Sequence, residues 1–195
     1  VEPVESGVEV TTVSYLAAPL PLNLLYVDTF DAGVLYAWEV GPFWSFTSEG
    51  GGQALEVTGS NAPVTFRYST LRDAAVQARF KLDEGSARLS LRESEAGNYT
   101  AVLDPTDHTV RLYRKDVLIQ SAELPADSAA IWHTVQLSAI EDIVRLVVDQ
   151  VEYIAIRDLA QLPPGTASFA LVGTGTLRVD DFMLWTPRRS DSPGE

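Results

Sequence analysis

The sequence contains no cysteine. Disulfides, thiolate metal sites and a cysteine nucleophile are thereby excluded. Secretion is not excluded, since many bacterial surface proteins lack disulfides. Positive charge is scarce. Lys81 and Lys115 are the only lysines, and 14 Lys+Arg stand against 27 Asp+Glu, for a formal net charge of -13. So acidic a chain is repelled by phosphate backbones, which argues against a nucleic-acid partner. The same acidity suits solubility outside the cell and the binding of divalent cations. Long apolar runs are also missing. None approaches the roughly 20 residues that span a bilayer, so no membrane span is expected. The chain starts at Val1 without a charged start followed by an apolar segment. The expectation is a mature chain freed of its targeting peptide, although an excised fragment would look the same.

What is present points to β-structure. A chain of 195 residues with 46% apolar residues can bury one full hydrophobic core. In Ala130 to Asp158, Val135 and Leu137 alternate with Thr134, Gln136 and Ser138. Glu141-Asp142 breaks that run, Val144, Leu146 and Val148 share one face, and after Asp149-Gln150 Ile154 and Ile156 resume it. Alternation with period two buries one face of a strand and wets the other. A three-stranded meander of this kind needs a second sheet over its apolar face. Further strands follow the same logic around Leu55 and Val57, and over 62–68, 75–82, 87–91, 99–103, 109–113, 117–122, 167–172 and 177–185. Asp104-Pro105-Thr106-Asp107 supplies a turn, with Asp first and Pro second favouring type I. Strands at roughly 8–12-residue intervals with turn residues between them read as an all-β, two-sheet antiparallel jelly-roll sandwich. Short helix-like patches are expected only around 70–75 and 158–161.

Residues 1–27 have a different texture. Val8 and Val10 alternate with Glu9 and Thr11. Leu16, Ala18, Leu20, Leu22, Leu24 and Tyr26 then fall at every second position, with Pro19 and Pro21 between them. Two prolines at that spacing remove donors from one edge of a strand and leave the other edge able to pair. An exposed stripe this apolar would be a sticky patch. Either it folds back on its own domain as an edge strand, or it is donated to a neighbouring copy. Head-to-tail donation that does not close makes a filament. The expected organisation is an extended N-terminal arm over 1–27, a jelly-roll domain over 28–186 and a polar tail over 187–195.

Several motifs in order resemble the concanavalin A-like lectin/glucanase superfamily, and within it laminin-G-like domains of bacterial surface proteins. They are Asp28-Thr29-Phe30-Asp31, Trp38, Ala75 to Phe80, Leu91-Arg92 with Gly97-Asn98-Tyr99, Trp132-His133-Thr134-Val135 and Val179-Asp180-Asp181-Phe182. The resemblance implies the jelly roll and leaves glycosidase, lectin and structural roles open. Glucanases of this superfamily carry their paired carboxylates as Glu-x-Asp-x-x-Glu on one strand, a pattern this chain lacks. Glu93-Ser94-Glu95 reads as a solvated loop. His108 and His133 have no serine or carboxylate neighbour that would make a triad. In many relatives an ion ties the first strand to the last. The resemblance therefore implies calcium as a candidate cofactor, with Asp31, Asp180 or Asp181, and Glu56 as its carboxylates. Sugar sites use aromatic faces beside polar groups. Arg92, Tyr99, Arg111 and Tyr113 are candidates to share the outer face of one sheet, with Trp44 on a neighbouring loop. Core packing or ordinary sheet decoration accounts for each of these residues as well. Asn98-Tyr99-Thr100 matches the glycosylation acceptor pattern. The leading expectation is a secreted, non-catalytic subunit that polymerises with its own copies through the arm into an extracellular fibre or surface array. The second is a carbohydrate-binding module that takes polysaccharide. Glycoside hydrolysis comes third, for want of paired acids.

Overall fold

The computed structural model describes residues 8–9, 22–59, 61–68, 70–126 and 129–188. Among these the chain forms sixteen strands, all paired antiparallel, in two sheets. The first sheet runs β1 (Val8–Glu9), β14 (Val151–Asp158), β13 (Ile143–Val148), β12 (Trp132–Ile140), β7 (Ala74–Leu82), β16 (Thr176–Pro187), β5 (Gly52–Thr58), β4 (Ser45–Glu49). β2 (Leu22–Asp28) also pairs with β16. The second sheet runs β11 (Val117–Glu123), β10 (Thr109–Arg114), β9 (Gly97–Asp104), β8 (Ser86–Ser94), β15 (Thr166–Val172), β6 (Val64–Phe66), β3 (Trp38–Val40). No helix among the described residues is long and apolar enough to cross a membrane.

The meander is present as β12, β13 and β14. Val135, Leu137 and Ala139 point into the core and the residues between them are half-buried. Asp149 and Gln150 both take positive φ, at 48° and 70°, the backbone of a type I′ turn, without the glycine that turn favours. Glu141 alone takes positive φ, 52°, in the β12–β13 connection. The helix-like patches do not form helices. Leu71 makes a single bridge to Gly165, and β7 has begun by Ala74. Asp158 closes β14, and residues beyond it turn towards the Pro163-Pro164 loop.

The last six residues of the expected arm, 22–27, belong to an integral strand. In β2, Asp28 pairs with Phe182, Tyr26 with Leu184, Leu24 with Trp185 and Leu22 with Pro187. The register shifts between Leu184 and Trp185, so Leu25 is an extra residue and the two-residue alternation breaks there. Tyr26 consequently packs on the core, whereas Leu24 turns outward and is 54% exposed. The stripe expected through Leu22, Leu24 and Tyr26 is thus split between two faces of its own domain. Leu16, Ala18 and Leu20 lie outside the described residues, as does most of the expected polar tail.

Between the sheets lies one continuous core. Its aromatic centre is Trp38, ringed by Phe66, Phe169 and Phe182 at 4.7–5.4 Å between ring centroids. Aromatic pairs at such spacings add stabilisation beyond area burial, about 0.5–1.5 kcal/mol each. Asp28 holds that cluster at the rim. Its carboxylate accepts from Tyr26 Oη and Trp38 Nε1, both at 2.9 Å, and from the Phe30 amide at 2.8 Å. This explains the run from Asp28 to Trp38 physically: one carboxylate satisfies the polar atoms of otherwise apolar rings.

Candidate functional site

The outer face of the second sheet is a polar surface that strand alternation leaves uncovered. In β8, Ala87, Leu89 and Leu91 face the core, so Arg88 and Ser90 face outward. β9 presents Asn98, Thr100 and Val102, and β10 presents Thr109, Arg111 and Tyr113. Register then assembles rows across the strands. Ala170, Arg88, Val102, Arg111 and Ser121 form one, and Ser168, Ser90, Thr100 and Tyr113 the next. Ser90 and Ser168 are 0% exposed although they point away from the core. Short side chains lie at the floor, with Arg88, Arg111, Tyr113 and Glu93 rising around them, so the face is a trough.

The hydrogen bonding of this trough is incomplete. Ser90 and Thr100 hydroxyls share a bond of 3.0 Å, and Ser168 donates to Glu93. Arg111 is held by Asp107 at 3.1 Å and lies 3.6 Å from Asp104. By contrast, Arg88 Nε, Asn98 Oδ1 and Thr109 Oγ1 are buried with no hydrogen-bond partner. Buried polar atoms are nearly always paired, with protein, water or ligand. At the β6 and β15 end the trough opens into a cleft of ≈ 580 Å³ lined by Glu39, Thr65, Tyr68, Thr70, Glu93 and Thr166. Tyr68 is 69% exposed at its rim, its hydroxyl bonded to the Tyr36 carbonyl at 2.9 Å.

Of the expected glycan residues, the structure brings Arg111 and Tyr113 together on this face. Arg92 and Tyr99 are elsewhere, both 0% exposed inside the end of the sandwich. Tyr99 follows from alternation, since it shares the inward face of β9 with Ala101 and Leu103. Arg92 does not follow from alternation. Thr166 pairs with Glu93 and Ala167 with Leu91, so Arg92 is an extra bulge residue, at φ 55°. The bulge swings its guanidinium inward. There it donates to the carbonyls of Arg72 at 2.6 Å and Leu162 at 3.2 Å, and meets Asp73 at 3.3 Å. Gly165 packs against the bulge, where a Cβ would stand 2.4 Å from the Arg92 carbonyl carbon. Trp44 is a core-edge residue: its Nε1 donates to the Ala62 carbonyl at 2.8 Å and its ring lies 5.6 Å from Phe169. Asn98 sits within β9 with Tyr99 and Thr100 buried, so the glycosylation pattern falls on a strand and not on an open loop. Glu93, expected in a solvated loop, is a half-buried strand residue of the trough. His133 is buried, with Nδ1 2.6 Å from Asp149 Oδ2. Arg88 and Tyr68 are the site residues that the sequence reading missed. The signal for Arg88 was legible: it alternates with Ala87 and Leu89 in the same strand.

Three of the carboxylates expected to hold calcium, Asp31, Asp180 and Asp181, face a second cleft, on the outer side of the first sheet. It has a volume of ≈ 520 Å³ and is lined by Asp31, Glu49, Arg79, Trp132, Asp180 and Asp181, with Thr29 and glycines of the β4–β5 turn. Arg79 occupies its middle, 2.8 Å from Asp181, 3.8 Å from Asp180 and 4.7 Å from the Trp132 ring. Asp31 Oδ1 accepts the Gln53 amide at 2.8 Å. Glu56 is paired with Arg178 at 2.7 Å and does not line the cleft. Burial pushes the Asp180 carboxyl above its usual range; the Asp181 amide and Arg79 oppose that rise, and the charges of Asp181 and Asp31 add to it. Among the described residues no three carboxylate or histidine side chains converge to hold a metal ion. The donors present do not fit calcium, because a guanidinium already supplies the positive charge.

No family model and no curated protein matches the sequence. Solved structures match over most of the chain. The laminarinase catalytic domain from Thermotoga maritima superposes with a TM-score of 0.67 at 14% identity, covering 86% of this chain and 99% of its own. Domain 4 of the Geobacillus stearothermophilus extracellular arabinanase AbnA, solved with arabinotriose, gives 0.66 at 13% identity, covering 85% and 93%. The carbohydrate binding module CBM66 from Bacillus subtilis gives 0.60 at 14% identity, covering 75% and 93%. Enzymes and binding modules both stand among these neighbours, so the likeness carries architecture and not activity. The likeness shows the fold alone: the chain is a two-sheet jelly roll of the concanavalin A-like kind.

Proposed function

We propose that this domain is a non-catalytic carbohydrate-binding module that takes a glycan along the outer face of its second sheet. The observation that carries this reading is the polar outer face of β8, β9 and β10, where Arg88, Arg111 and Tyr113 stand beside the short side chains of Ser90 and Thr100. Sugar hydroxyls donate and accept hydrogen bonds, and their C–H faces stack on aromatic rings such as Tyr113 and Tyr68. Two structural neighbours support it, one a carbohydrate binding module and the other solved with arabinotriose. A secreted location fits the extracellular arabinanase to which that second domain belongs. Hydrolysis is the weaker reading, since the chain lacks Glu-x-Asp-x-x-Glu and Glu93 is engaged by Ser168. The fibre reading loses the observation behind it at Leu22, Leu24 and Tyr26, which belong to β2.

Glycan-array binding by the folded domain tests the proposal. Tyr113→Ala should weaken any binding by about two- to tenfold while leaving the melting temperature within about 2 °C, as expected for an aromatic contact on an outer face. A blank across plant, algal and bacterial glycans, or binding indifferent to both Tyr113→Ala and Tyr68→Ala, would remove it.

A further inference from the structure

Resting on that reading, we infer that the glycan is acidic, and that Arg88 receives a uronic acid carboxylate on the trough floor. Arg79, Arg92, Arg111, Arg114, Arg145, Arg157 and Arg178 each have a carboxylate within 4 Å. Arg67 and Arg72 are exposed and solvated. Arg88 is neither. It is half-buried in the middle of a central strand, its Nε is sealed from solvent, and no ion pair reaches it among the described residues. In a chain of net charge -13, a half-buried guanidinium left without a carboxylate is an unmet demand for negative charge.

The surrounding acids do not meet that demand, because each is otherwise engaged. Asp104 accepts from Ser86 at 3.0 Å and from the Asp107 amide at 3.0 Å, Asp107 holds Arg111, and Glu93 accepts from Ser168. The charge left unmet is therefore the Arg88 guanidinium. Asn98 and Thr109 stand apart from it: Arg88 pairs with Val102 and Thr109 with Asp104, so Asn98 and Thr109 lie roughly 20 Å from each other along the strands. The fit rests on Arg88, and a uronic acid unit lying over it supplies the carboxylate. The planar guanidinium fork matches a carboxylate's two oxygens, which a lone hydroxyl cannot do. Arg111 lies in the same row two strands away, roughly 10 Å between backbones at the usual strand spacing.

The test is calorimetric titration of the whole chain with oligogalacturonate, oligomannuronate and oligoglucuronate, each beside its carboxyl-reduced, neutral counterpart. At least one acidic oligosaccharide should bind about ten- to hundredfold more tightly than its reduced form, the usual margin of a hydrogen bond to a charged group. Arg88→Gln should abolish that margin with an unchanged melting temperature. Arg88→Lys should keep part of it, and raised salt should weaken binding by the wild type more than by Arg88→Gln. Equal binding of acidic and reduced forms would overturn the inference, as would an acidic preference that survives Arg88→Gln. Should neutral glycans alone bind, in a manner sensitive to Tyr113→Ala, the acidic ligand falls and the carbohydrate reading stands. Should no glycan of either kind bind, both fall.

Discussion

Replacing Asp158 with alanine should lower the unfolding free energy by about 3–5 kcal/mol, the usual cost of breaking a buried charge pair by removing one partner. Asp158 is 0% exposed. Its Oδ2 accepts from Tyr99 Oη at 2.6 Å and from Arg114 Nε at 2.8 Å, and its Oδ1 accepts the Ala160 amide at 3.0 Å. The Tyr99 hydroxyl in turn accepts the Leu162 amide at 3.2 Å. One carboxylate thus ties β9, β10, β14 and the Pro163-Pro164 loop. Without it, the Arg114 guanidinium and the Tyr99 hydroxyl lose an acceptor in a place water scarcely reaches. For a domain of this size, 1 kcal/mol moves the melting temperature by roughly 2–4 °C. Urea denaturation followed by tryptophan fluorescence gives the free energy, and thermal melting followed by circular dichroism checks it. Combining Arg114→Met with Asp158→Leu should recover part of the loss, because both charges then leave together. Burial, helped by the Asp158 hydrogen bond, pushes the Tyr99 hydroxyl up to about 12. Stability from Tyr99 is accordingly full below pH about 10 and declines as pH rises towards 12, where the unfolded chain ionises first. A loss below about 1 kcal/mol in Asp158→Ala, the range of an exposed ion pair, would refute the claim that this network is desolvated.

Three further outcomes are expected. Gly165→Ala should destabilise by about 1–3 kcal/mol in urea titration, because its Cβ would collide with the Arg92 backbone, which no rotamer change can move. Asp180→Asn should raise the melting temperature at neutral pH by the equivalent of about 0.5 kcal/mol, since it removes a half-buried charge held near Asp181 and Asp31. The sign follows from linkage: the folded-state pKa of Asp180 is raised, so the wild type recovers that stability in acid and the gain from Asn vanishes there. Phe43 follows Pro42 at φ 75° and is 76% exposed, so Phe43→Gly should stabilise by about 1 kcal/mol in the same titration, by relieving left-handed strain at no cost in packing.

Much of this architecture was legible in the sequence, because burying one face of a strand writes itself as period two. The meander from Trp132 to Asp158 follows from that alternation, and so does β10; β8 and β15 are buried almost continuously, and β3 was not among the expected strands. The alternation failed where a strand gained a residue. Leu25 in β2 and Arg92 in β8 each shift the register by one, so Leu24 turns out and Arg92 turns in. Bulges depend on which strand lies opposite, and a single strand's pattern does not contain that. The short patch around 70–75 failed because Arg92 and Gly165 shape it from distant parts of the chain; in the patch around 158–161, Asp158 ends β14 and its carboxylate accepts the Ala160 amide in a local turn. The candidate site was half legible. Arg111 and Tyr113 lie on the expected face, whereas Tyr68 and Glu93 reach it through the pairing of β15 with β6 and β8, which is visible only in the fold.

The most direct test of the account is a heteronuclear NMR titration of the labelled domain with the oligosaccharide it binds most tightly. Amide and side-chain shifts should cluster on Arg88, Asn98, Thr109 and Tyr113 and spread towards Tyr68, leaving the opposite sheet unchanged. Shifts confined to the Arg79–Trp132 cleft, or none at saturating ligand, would contradict it.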